Sequence, residues 1–326
     1  MSEPILKVQD LKVHFPVNEG LVFTKQVGSV KAVDGVSFEL NPGQTLSLVG
    51  ESGCGKSTTA LAVLRMLNVT DGSIEFFGED ITHHSRAQML PLRPRMQMVY
   101  QDPFSALNPR MKVADIIGEP IKVHEPNTSK ADYRTRVAKL LDLVGLRAEM
   151  ADRYPHEFSG GQRQRISIAR ALALQPDLLI CDEAVSALDV SIQAQIVNLL
   201  TDLQREFGLA YLFISHDLSI VRHVSDYIAV MYLGQIVELK QRDTLFAHPE
   251  HPYTKTLLDA VPIANPQIEA SRPQPLIIGE VPSVRNPPSG CRFHPRCTQA
   301  MDKCSQSQPP LASNNDGSIA CHLYNS

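Results

Sequence analysis

The chain has 326 residues, 43% of them hydrophobic and 20% charged, and its formal net charge is −4. This composition excludes a disordered chain, and the lack of a basic excess argues against nucleic acid as a partner. No run of 18 apolar residues is present, and the first residues lack the charged and apolar segments of a signal peptide. We therefore expect a soluble, cytoplasmic chain without a membrane span.

The N-terminal region has the pattern of a half-buried sheet. Apolar and polar side chains alternate over residues 5–49, as Val36 and Phe38 do against their neighbours. This period of two predicts antiparallel strands. The apolar run Thr45–Val49 then leads into a glycine-rich loop, and apolar residues at helical spacing predict a helix over residues 58–67.

The loop that follows has the phosphate-binding pattern Gly-x-x-x-x-Gly-Lys-Ser. Lys56 is expected to bridge the β- and γ-phosphates of a nucleotide, and Ser57 is expected to ligate Mg²⁺. Cys54 is expected to contribute its backbone N–H, and the glycines allow the backbone to curl around the phosphates. The predicted nucleotide-binding residues of the loop are Gly50, Ser52, Gly53, Cys54, Gly55, Lys56, Ser57 and Thr58.

A second glycine-rich turn lies about a hundred residues further on. Proline and asparagine are frequent after Gln101, and Tyr133–Leu146 has the pattern of an amphipathic helix. The turn Ser159–Gln162 then opens another helix, whose first backbone N–H groups lack an internal partner. The phosphates already have a cradle within one subunit, so this turn can serve the γ-phosphate of a nucleotide held by a partner subunit. The pattern therefore predicts a dimer.

Two short apolar runs predict a parallel sheet. Leu178–Cys181 and Tyr211–Ile214 are continuous apolar segments, as expected for strands buried on both faces, and a helical pattern lies between them. Asp182 and Glu183 follow the first of these strands at its carboxyl end, where ligands of open α/β sheets collect. The core is therefore predicted to be α/β, with a carboxylate pair at its ligand-binding edge.

The last part of the chain differs in composition. Prolines are frequent after residue 248 and argue against long helices and central strands there, so we treat residues 251–326 as an extension of a domain over residues 1–250. The extension holds four cysteines, a type of cluster that in a reducing cytosol more often binds metal than forms disulfides. Their spacing fits neither common ferredoxin pattern and is wider than a zinc knuckle, which leaves iron–sulfur, zinc and no metal open. These cysteines are Cys291, Cys297, Cys304 and Cys321.

The order of these motifs resembles the ATP-binding cassette (ABC) family, and within it the ATPase subunits of bacterial dipeptide and oligopeptide importers. The resemblance implies a P-loop NTPase fold of class α/β. Such a nucleotide-binding domain has a RecA-like core, an antiparallel β subdomain and a helical subdomain, here at about residues 102–158, followed by a cysteine-containing extension. The segments that carry the resemblance are GESGCGKST (50–58), YPHEFSGGQRQRISIAR (154–170), SALDVSIQAQ (186–195), HPYT (251–254) and NPPSGC (286–291).

The resemblance also assigns catalytic roles. Glu183 corresponds to the general base that activates the attacking water, and Asp182 to the carboxylate that supports Mg²⁺ through water. Gln101 corresponds to the glutamine that contacts Mg²⁺ and the lytic water. His216 corresponds to the histidine that contacts the γ-phosphate. The family usually has proline where this chain has Ala184, which leaves the carboxylates intact.

Further binding residues follow from the same resemblance. Phe15 matches the aromatic residue that stacks on adenine, with His14 as the neighbouring alternative. The turn of Ser159, Gly160, Gly161 and Gln162 matches the one that contacts ATP across the dimer. Asp189 matches a loop at the dimer interface. The four cysteines match an extension thought to hold a [4Fe–4S] cluster, with Zn²⁺ as the alternative.

The implied function is ATP hydrolysis, with Mg²⁺, that drives import of dipeptides or oligopeptides. The implied partners are a second ATPase subunit that is a related chain, two transmembrane permease subunits and an extracytoplasmic peptide-binding protein. The chain would sit on the cytoplasmic face of the inner membrane, and the segment Leu107–Arg110 would receive the permease helices. Two alternatives stay open: an importer of nickel, glutathione or another solute, and a soluble ABC ATPase unconnected with transport.

Overall fold

A computed structural model describes residues 3–19, 25–261, 279–314 and 316–324. Several prolines of the predicted extension fall in residues 262–278, outside the described residues. The strands are β1 Leu6–Glu19, β2 Lys25–Leu40, β3 Thr45–Val49, β4 Asp71–Phe76, β5 Glu79–Asp80, β6 Met96–Val99, β7 Leu178–Asp182, β8 Ala210–Ile214, β9 Tyr227–Tyr232, β10 Gln235–Gln241, β11 Ala312–Asn314 and β12 Gly317–Ile319.

The helices alternate with the strands over much of the chain. They are α1 Lys56–Val63, α2 Arg86–Met89, α3 Pro103–Ala106, α4 Val113–His124, α5 Lys130–Leu143, α6 Gly160–Ala171, α7 Val190–Phe207, α8 Leu218–Val224, α9 Arg242–Ala247, α10 Pro252–Asp259 and α11 Asp302–Gln306.

The chain divides into two compact units. Unit 1 comprises Met1–Ile5, Leu40–Thr45 and His84–Ser215, and unit 2 comprises Leu6–Glu39, Leu46–His83 and His216–Ser326. The predicted domain boundary at residue 250 stays a prediction. The two units are defined by contacts, and each combines segments that are distant in sequence, so they do not test that boundary.

Unit 1 contains three parallel strands in the order β6-β7-β8. Every residue of β7 and β8 is buried, as expected for continuous apolar runs in a parallel sheet. Helix α7 connects these two strands and buries Ile196, Leu200 and Leu203 on one face. The predicted strand–helix–strand order is confirmed.

The helices α4, α5 and α6 pack against one another in unit 1. Helix α5 begins earlier than predicted because the Ser129 hydroxyl caps it, accepting a hydrogen bond from the Asp132 N–H. It ends at Leu143, two residues before Gly145, which has a left-handed φ of 71°. Helix α4 was not predicted, and it includes Pro120.

One sheet of unit 2 has the strand order β2-β1-β4-β5, with β1 antiparallel to β4 and β4 antiparallel to β5. Val36 and Phe38 are buried, whereas Ser37 is half-buried and Glu39 is exposed. This alternation confirms the predicted half-buried strands for the first part of residues 5–49. The prediction was wrong for β3, because all of its residues are buried and it pairs in parallel with β9.

A second set of strands in unit 2 has the order β3-β9-β10-β12-β11. Strand β3 pairs with β9 in parallel, and β10 pairs with β12 in antiparallel. Strands β11 and β12 come from the last part of the chain, so this part adds edge strands to the sheet, and the core beneath includes Tyr232, Tyr253 and Phe293.

Helix α1 corrects a prediction. It begins at Lys56 and ends at Val63, instead of covering residues 58–67. Arg65 has a φ of 53°, which is incompatible with a right-handed helix and accounts for the early end.

Candidate nucleotide site

The phosphate-binding loop leaves the buried strand β3 and enters α1. Gly50 has a φ of 151°, and a Cβ there would lie 2.2 Å from the Met231 carbonyl oxygen. Gly55 has a φ of 110°, and a Cβ there would lie 2.3 Å from the Ala32 carbonyl oxygen. Only glycine fits at these two positions, so the loop has its curled shape because of its sequence.

Lys56 lies at the start of α1 and is only 4% exposed. Its Nζ donates hydrogen bonds to the carbonyl oxygens of Gly50, at 2.8 Å, and Glu51, at 3.0 Å. Burial raises the pKa of the neighbouring Cys54 thiol, and the charge of Lys56 opposes that effect. Cys54 is therefore a protonated, buried side chain at neutral pH.

Glu51, for which sequence analysis predicted no role, is bonded through all of its polar groups. Its backbone N–H donates to the Tyr253 hydroxyl at 2.9 Å. Its carboxylate accepts two hydrogen bonds from Arg296, at 2.9 and 3.0 Å, and Arg296 also donates to the Tyr232 hydroxyl at 3.2 Å. The hydrogen bond with Glu51 raises the pKa of Arg296.

The residues predicted to contact adenine differ in exposure and bonding. Phe15 is 40% exposed. His14 Nε2 lies 2.8 Å from Asp34 Oδ1, and Arg292 forms an ion pair with the same carboxylate. Burial acts to raise the pKa of Asp34, but the hydrogen bond with His14 and the charge of Arg292 lower it below the usual value. Because the His14 ring is hydrogen-bonded to Asp34, Phe15 is the better candidate for stacking on adenine.

The carboxylate pair of unit 1 lies at the end of β7. Asp182 is 8% exposed. Glu183 follows it with a φ of 46°, a backbone conformation that residues other than glycine rarely adopt. Gln101 Nε2 donates to Glu183 Oε2 at 2.6 Å, and the Glu183 N–H donates to the Ile214 carbonyl at 3.0 Å. The structure therefore brings together two of the three residues predicted to be catalytic.

The second glycine-rich turn opens α6, also in unit 1. Ser159 is the N-cap, and its side chain and that of Gln162 bond each other's backbone N–H groups, at 3.4 and 3.1 Å. This capping box fixes the first turn of the helix. Ser159 is exposed, and Gly160 and Gly161 are half-buried. Their predicted contact with ATP stays a prediction.

Two further predicted residues lie at helix starts. His216 is exposed and precedes α8, whose N-cap Asp217 accepts hydrogen bonds from the N–H groups of Ser219 and Ile220. Asp189 is exposed and is the N-cap residue of α7. Their predicted roles with the γ-phosphate and the dimer interface are not tested by these positions.

The four clustered cysteines are free thiols that interact with one another electrostatically. Burial raises the pKa of Cys291 to about 11. Cys291 and Cys297 pack against the core of unit 2. In the described part of the chain, no group of three or more His, Cys, Asp or Glu side chains is arranged to hold a metal ion, so the predicted metal centre has no support from the geometry.

Among the residues that the structure describes, no helix has both the length and the apolar character needed to span a membrane.

Comparison with known proteins agrees with this architecture. The model of the ABC transporter family matches residues 33–186, and that of the oligopeptide/dipeptide transporter C-terminal region matches residues 237–304. The structure of CbiO1 from Clostridium perfringens, described as part of the ABC transporter complex CbiONQ, is 26% identical with a TM-score of 0.65, and the match covers 83% of this chain and 99% of that one. Dimeric MJ0796, 23% identical with a TM-score of 0.65, shares the fold over 73% of this chain and 98% of its own.

The fold and the motif residues thus define an ABC-type ATPase. Oligopeptide transport ATP-binding protein AppF of Bacillus subtilis is 51% identical, over 99% of this chain and 98% of its own length. The proteins of that description named OppF from Salmonella typhimurium and Escherichia coli are 50% and 48% identical, each over 97% of this chain and 95% of its own length. The chain belongs to the family of ABC transporter ATP-binding proteins with the oligopeptide/dipeptide transporter C-terminal region.

Proposed function

We propose that this chain is an ATPase subunit of an importer that carries dipeptides or oligopeptides into the cell. The observation that carries the proposal is the full-length similarity to oligopeptide transport ATP-binding proteins, together with a complete set of ATPase motifs. The names of the relatives and the matched C-terminal region favour a peptide over nickel or glutathione as cargo. The same match argues against an ATPase unconnected with transport.

In this proposal the loop after β3 binds the phosphates. Lys56 neutralises the β- and γ-phosphates, and the backbone N–H groups of the loop cradle them. The positive-φ glycines and the buried ammonium support this role. Phe15 stacks on adenine, supported by its exposed ring and by the engagement of His14 with Asp34.

Glu183 is the proposed general base, and Gln101 positions it and the attacking water. The 2.6 Å hydrogen bond between their side chains supports this pairing, because the amide can orient the carboxylate without neutralising it. His216 contacts the γ-phosphate in this scheme.

Mg²⁺ would be held by Ser57, Gln101 and Asp182, the last of these through water. Hydroxyl, amide and carboxylate oxygens are the ligands that this hard cation prefers. When bound, the ion neutralises charge on the phosphates.

The proposed assembly contains a second ATPase subunit. The turn Ser159–Gln162 of one subunit contacts the ATP bound by the other, and the exposed Ser159 and the capping box support that role. A related chain is the expected partner. Two permease subunits and an extracytoplasmic peptide-binding protein complete the transporter, and they hold this chain on the cytoplasmic face of the inner membrane.

The cysteines carry a second, separate proposal of a [4Fe–4S] cluster, with Zn²⁺ as the alternative. Burial raises the pKa of the Cys291, Cys297 and Cys321 thiols, and hydrogen bonds from backbone N–H groups oppose that effect; the Met301 N–H lies 3.5 Å from Cys304 Sγ. Such bonds stabilise thiolates. The four cysteine sulfurs would lie farther apart around a cluster than around a single tetrahedral zinc ion, which binds sulfur at ~2.3 Å. Iron, sulfide and zinc analysis of anaerobically purified protein decides between the two metals and none.

The deciding experiment for the main proposal measures uptake in cells whose only copy of the gene carries Glu183→Gln. Labelled dipeptides, longer peptides and Ni²⁺ are compared, with Glu206→Gln as the matched control at an exposed glutamate. Loss of peptide uptake alone is expected. Loss of Ni²⁺ uptake alone would reassign the cargo, and retention of all three would reject the importer assignment for these solutes.

A further inference from the structure

The cysteine-bearing segment contacts the phosphate-binding loop through one arginine. Arg296 lies between Cys291 and Cys297, and its side chain is only 5% exposed. It forms a two-pronged hydrogen bond to the Glu51 carboxylate, whose side chain is 23% exposed. Charge-assisted bidentate pairs of this kind are among the stronger hydrogen bonds in proteins and impose a fixed geometry.

Glu51 connects this arginine to Lys56. The carbonyl oxygen of Glu51 accepts a hydrogen bond from Lys56 Nζ at 3.0 Å, while its carboxylate is held by Arg296. Tyr253 fixes the third polar group of Glu51, its backbone N–H. Two residues from beyond position 250 therefore determine where the second residue of the loop lies, and the loop in turn positions the lysine.

Apolar packing alone leaves the loop room to move. A cavity of about 250 Å³ lies between residues 51–54 and residues 281–284. Ser52 and Gly53 are exposed, and an added Cβ at Gly53 would meet nothing within 4 Å. Because this space is open to solvent, apolar packing restrains this side of the loop little, and the polar contacts of Glu51 restrain it instead.

The same segment also contacts β2, the strand that neighbours the one with Phe15. Arg292 donates to the Leu233 carbonyl and pairs with Asp34, which holds the ring of His14. Arg296 thus contacts the proposed phosphate-binding loop, and Arg292 contacts Asp34, the partner of His14. Phe293 itself is buried against Tyr232, with ring centroids 5.2 Å apart, and this anchors the segment between them.

We propose that Arg296 is a positioning residue for ATP binding: through the carboxylate of Glu51 it holds the phosphate-binding loop, and with it Lys56, in the geometry that receives the phosphates. The inference rests on the proposed function of the loop. It gives the C-terminal region a direct part in nucleotide affinity. It also provides a route by which a change at Cys291 or Cys297 would reach the phosphates.

The test is the binding of MgATP to the full-length chain, measured by isothermal titration calorimetry. All variants carry Glu183→Gln to slow turnover. Arg296→Gln is expected to raise the Kd about tenfold, since it removes a charge-assisted bidentate bond. Arg296→Lys, which keeps the charge but not the fork, is expected to fall between that variant and the parent. Arg285→Gln, at an exposed arginine of the same region, is the matched control and is expected to bind like the parent.

A double-mutant cycle separates positioning from a general structural role. Glu51→Gln alone is expected to raise the Kd about as much as Arg296→Gln, and the double variant is expected to be no weaker than either, because both act through one contact. Additive losses would overturn the inference. The inference would also be overturned by a Kd for Arg296→Gln within about twofold of the Arg285→Gln value, even if Arg296→Gln lowered the midpoint of urea unfolding. If Arg296→Gln does not fold, Arg296→Lys and Glu51→Gln carry the same comparison.

The outcome also separates this inference from the proposed function. If the parent does not bind MgATP, or if Lys56→Ala binds it as well as the parent does, the assignment of the loop itself fails. If the parent binds and Lys56→Ala does not, but the Arg296 and Glu51 variants all bind normally, only the positioning role is rejected.

Discussion

Glu51 and Glu183 each follow a five-residue strand whose residues are all buried, β3 in unit 2 and β7 in unit 1. The first is locked by a bidentate arginine, a tyrosine and a lysine. The second has a strained backbone, and its carboxylate accepts a hydrogen bond from the neutral amide of Gln101. An arginine neutralises the charge of the carboxylate that it binds, whereas a neutral amide orients a carboxylate and leaves its charge in place.

This contrast teaches how two similar positions are used differently. A glutamate at the carboxyl end of a buried strand has a structural role when its carboxylate forms an ion pair, as Glu51 does with Arg296. A glutamate there that accepts a hydrogen bond from a neutral amide, as Glu183 does from Gln101, keeps its charge. The first arrangement suits a loop that must keep one shape for binding, and the second suits a residue that must accept a proton.

The largest expected effect is on hydrolysis at the second glutamate. Glu183→Gln should lower the ATPase kcat by about 10²- to 10⁴-fold, the usual contribution of a general base, while MgATP still binds. Steady-state ATPase assays on the assembled transporter measure the loss, with Glu206→Gln as the control. An unchanged kcat would show that the difference between the two glutamates does not govern catalysis.

The next effect concerns binding at the first loop. Lys56→Ala should raise the Kd for MgATP by roughly 10- to 150-fold, because a hydrogen bond to a charged group contributes about 1.5–3 kcal/mol. Calorimetric titration of the full chain measures it. Lys139→Ala, at an exposed lysine of α5, should bind normally. Equal affinity of Lys56→Ala and Lys139→Ala would contradict the binding role.

A smaller effect concerns stability in acid near the phosphate-binding loop. Burial, aided by the charge of Lys255, lowers the pKa of His251 to about 3, and the neutral ring accepts the Tyr253 N–H. The unfolded chain takes up this proton near pH 6.5 and the folded chain does not, so stability should fall as the pH drops from 6.5 toward 3. The loss is about 1.4 kcal/mol per pH unit.

Urea unfolding between pH 7 and pH 5 measures this slope. His251→Asn keeps a cap acceptor and should flatten the pH dependence, even if it lowers stability at every pH. His223→Asn, at an exposed histidine of α8, should leave the slope unchanged. A slope shared by His251→Asn and the parent would show that another group titrates.

The smallest effect tests the amide partner of Glu183. Gln101→Ala should lower kcat by roughly tenfold, since a hydrogen bond to a charged carboxylate contributes at least about 1.5 kcal/mol. ATPase assays beside Gln306→Ala, an exposed glutamine of α11, measure it. A kcat equal to that of the Gln306→Ala variant would contradict the positioning role of Gln101.

Sequence alone determined the parts of this protein that depend on local order. Strands β7 and β8 were predicted to within one residue, because short continuous apolar runs next to polar residues are typical of strands buried in a parallel sheet. The phosphate-binding loop was equally clear, since its glycines, lysine and serine are neighbours in the chain. Helix α4 was not predicted. The predicted end of α1 was wrong, because the left-handed backbone conformation of Arg65 has no signature in the residue types.

Only the tertiary structure decided which distant residues meet. Gln101 and Glu183 are far apart in sequence, and Arg296 lies 245 residues from Glu51. No local pattern distinguishes Arg296 from Arg285, although the first is buried in an ion pair and the second is exposed. Local sequence sets the shape of a loop through the conformations its residues allow, but ion pairs between distant segments form only once the sheet and its core have brought them together.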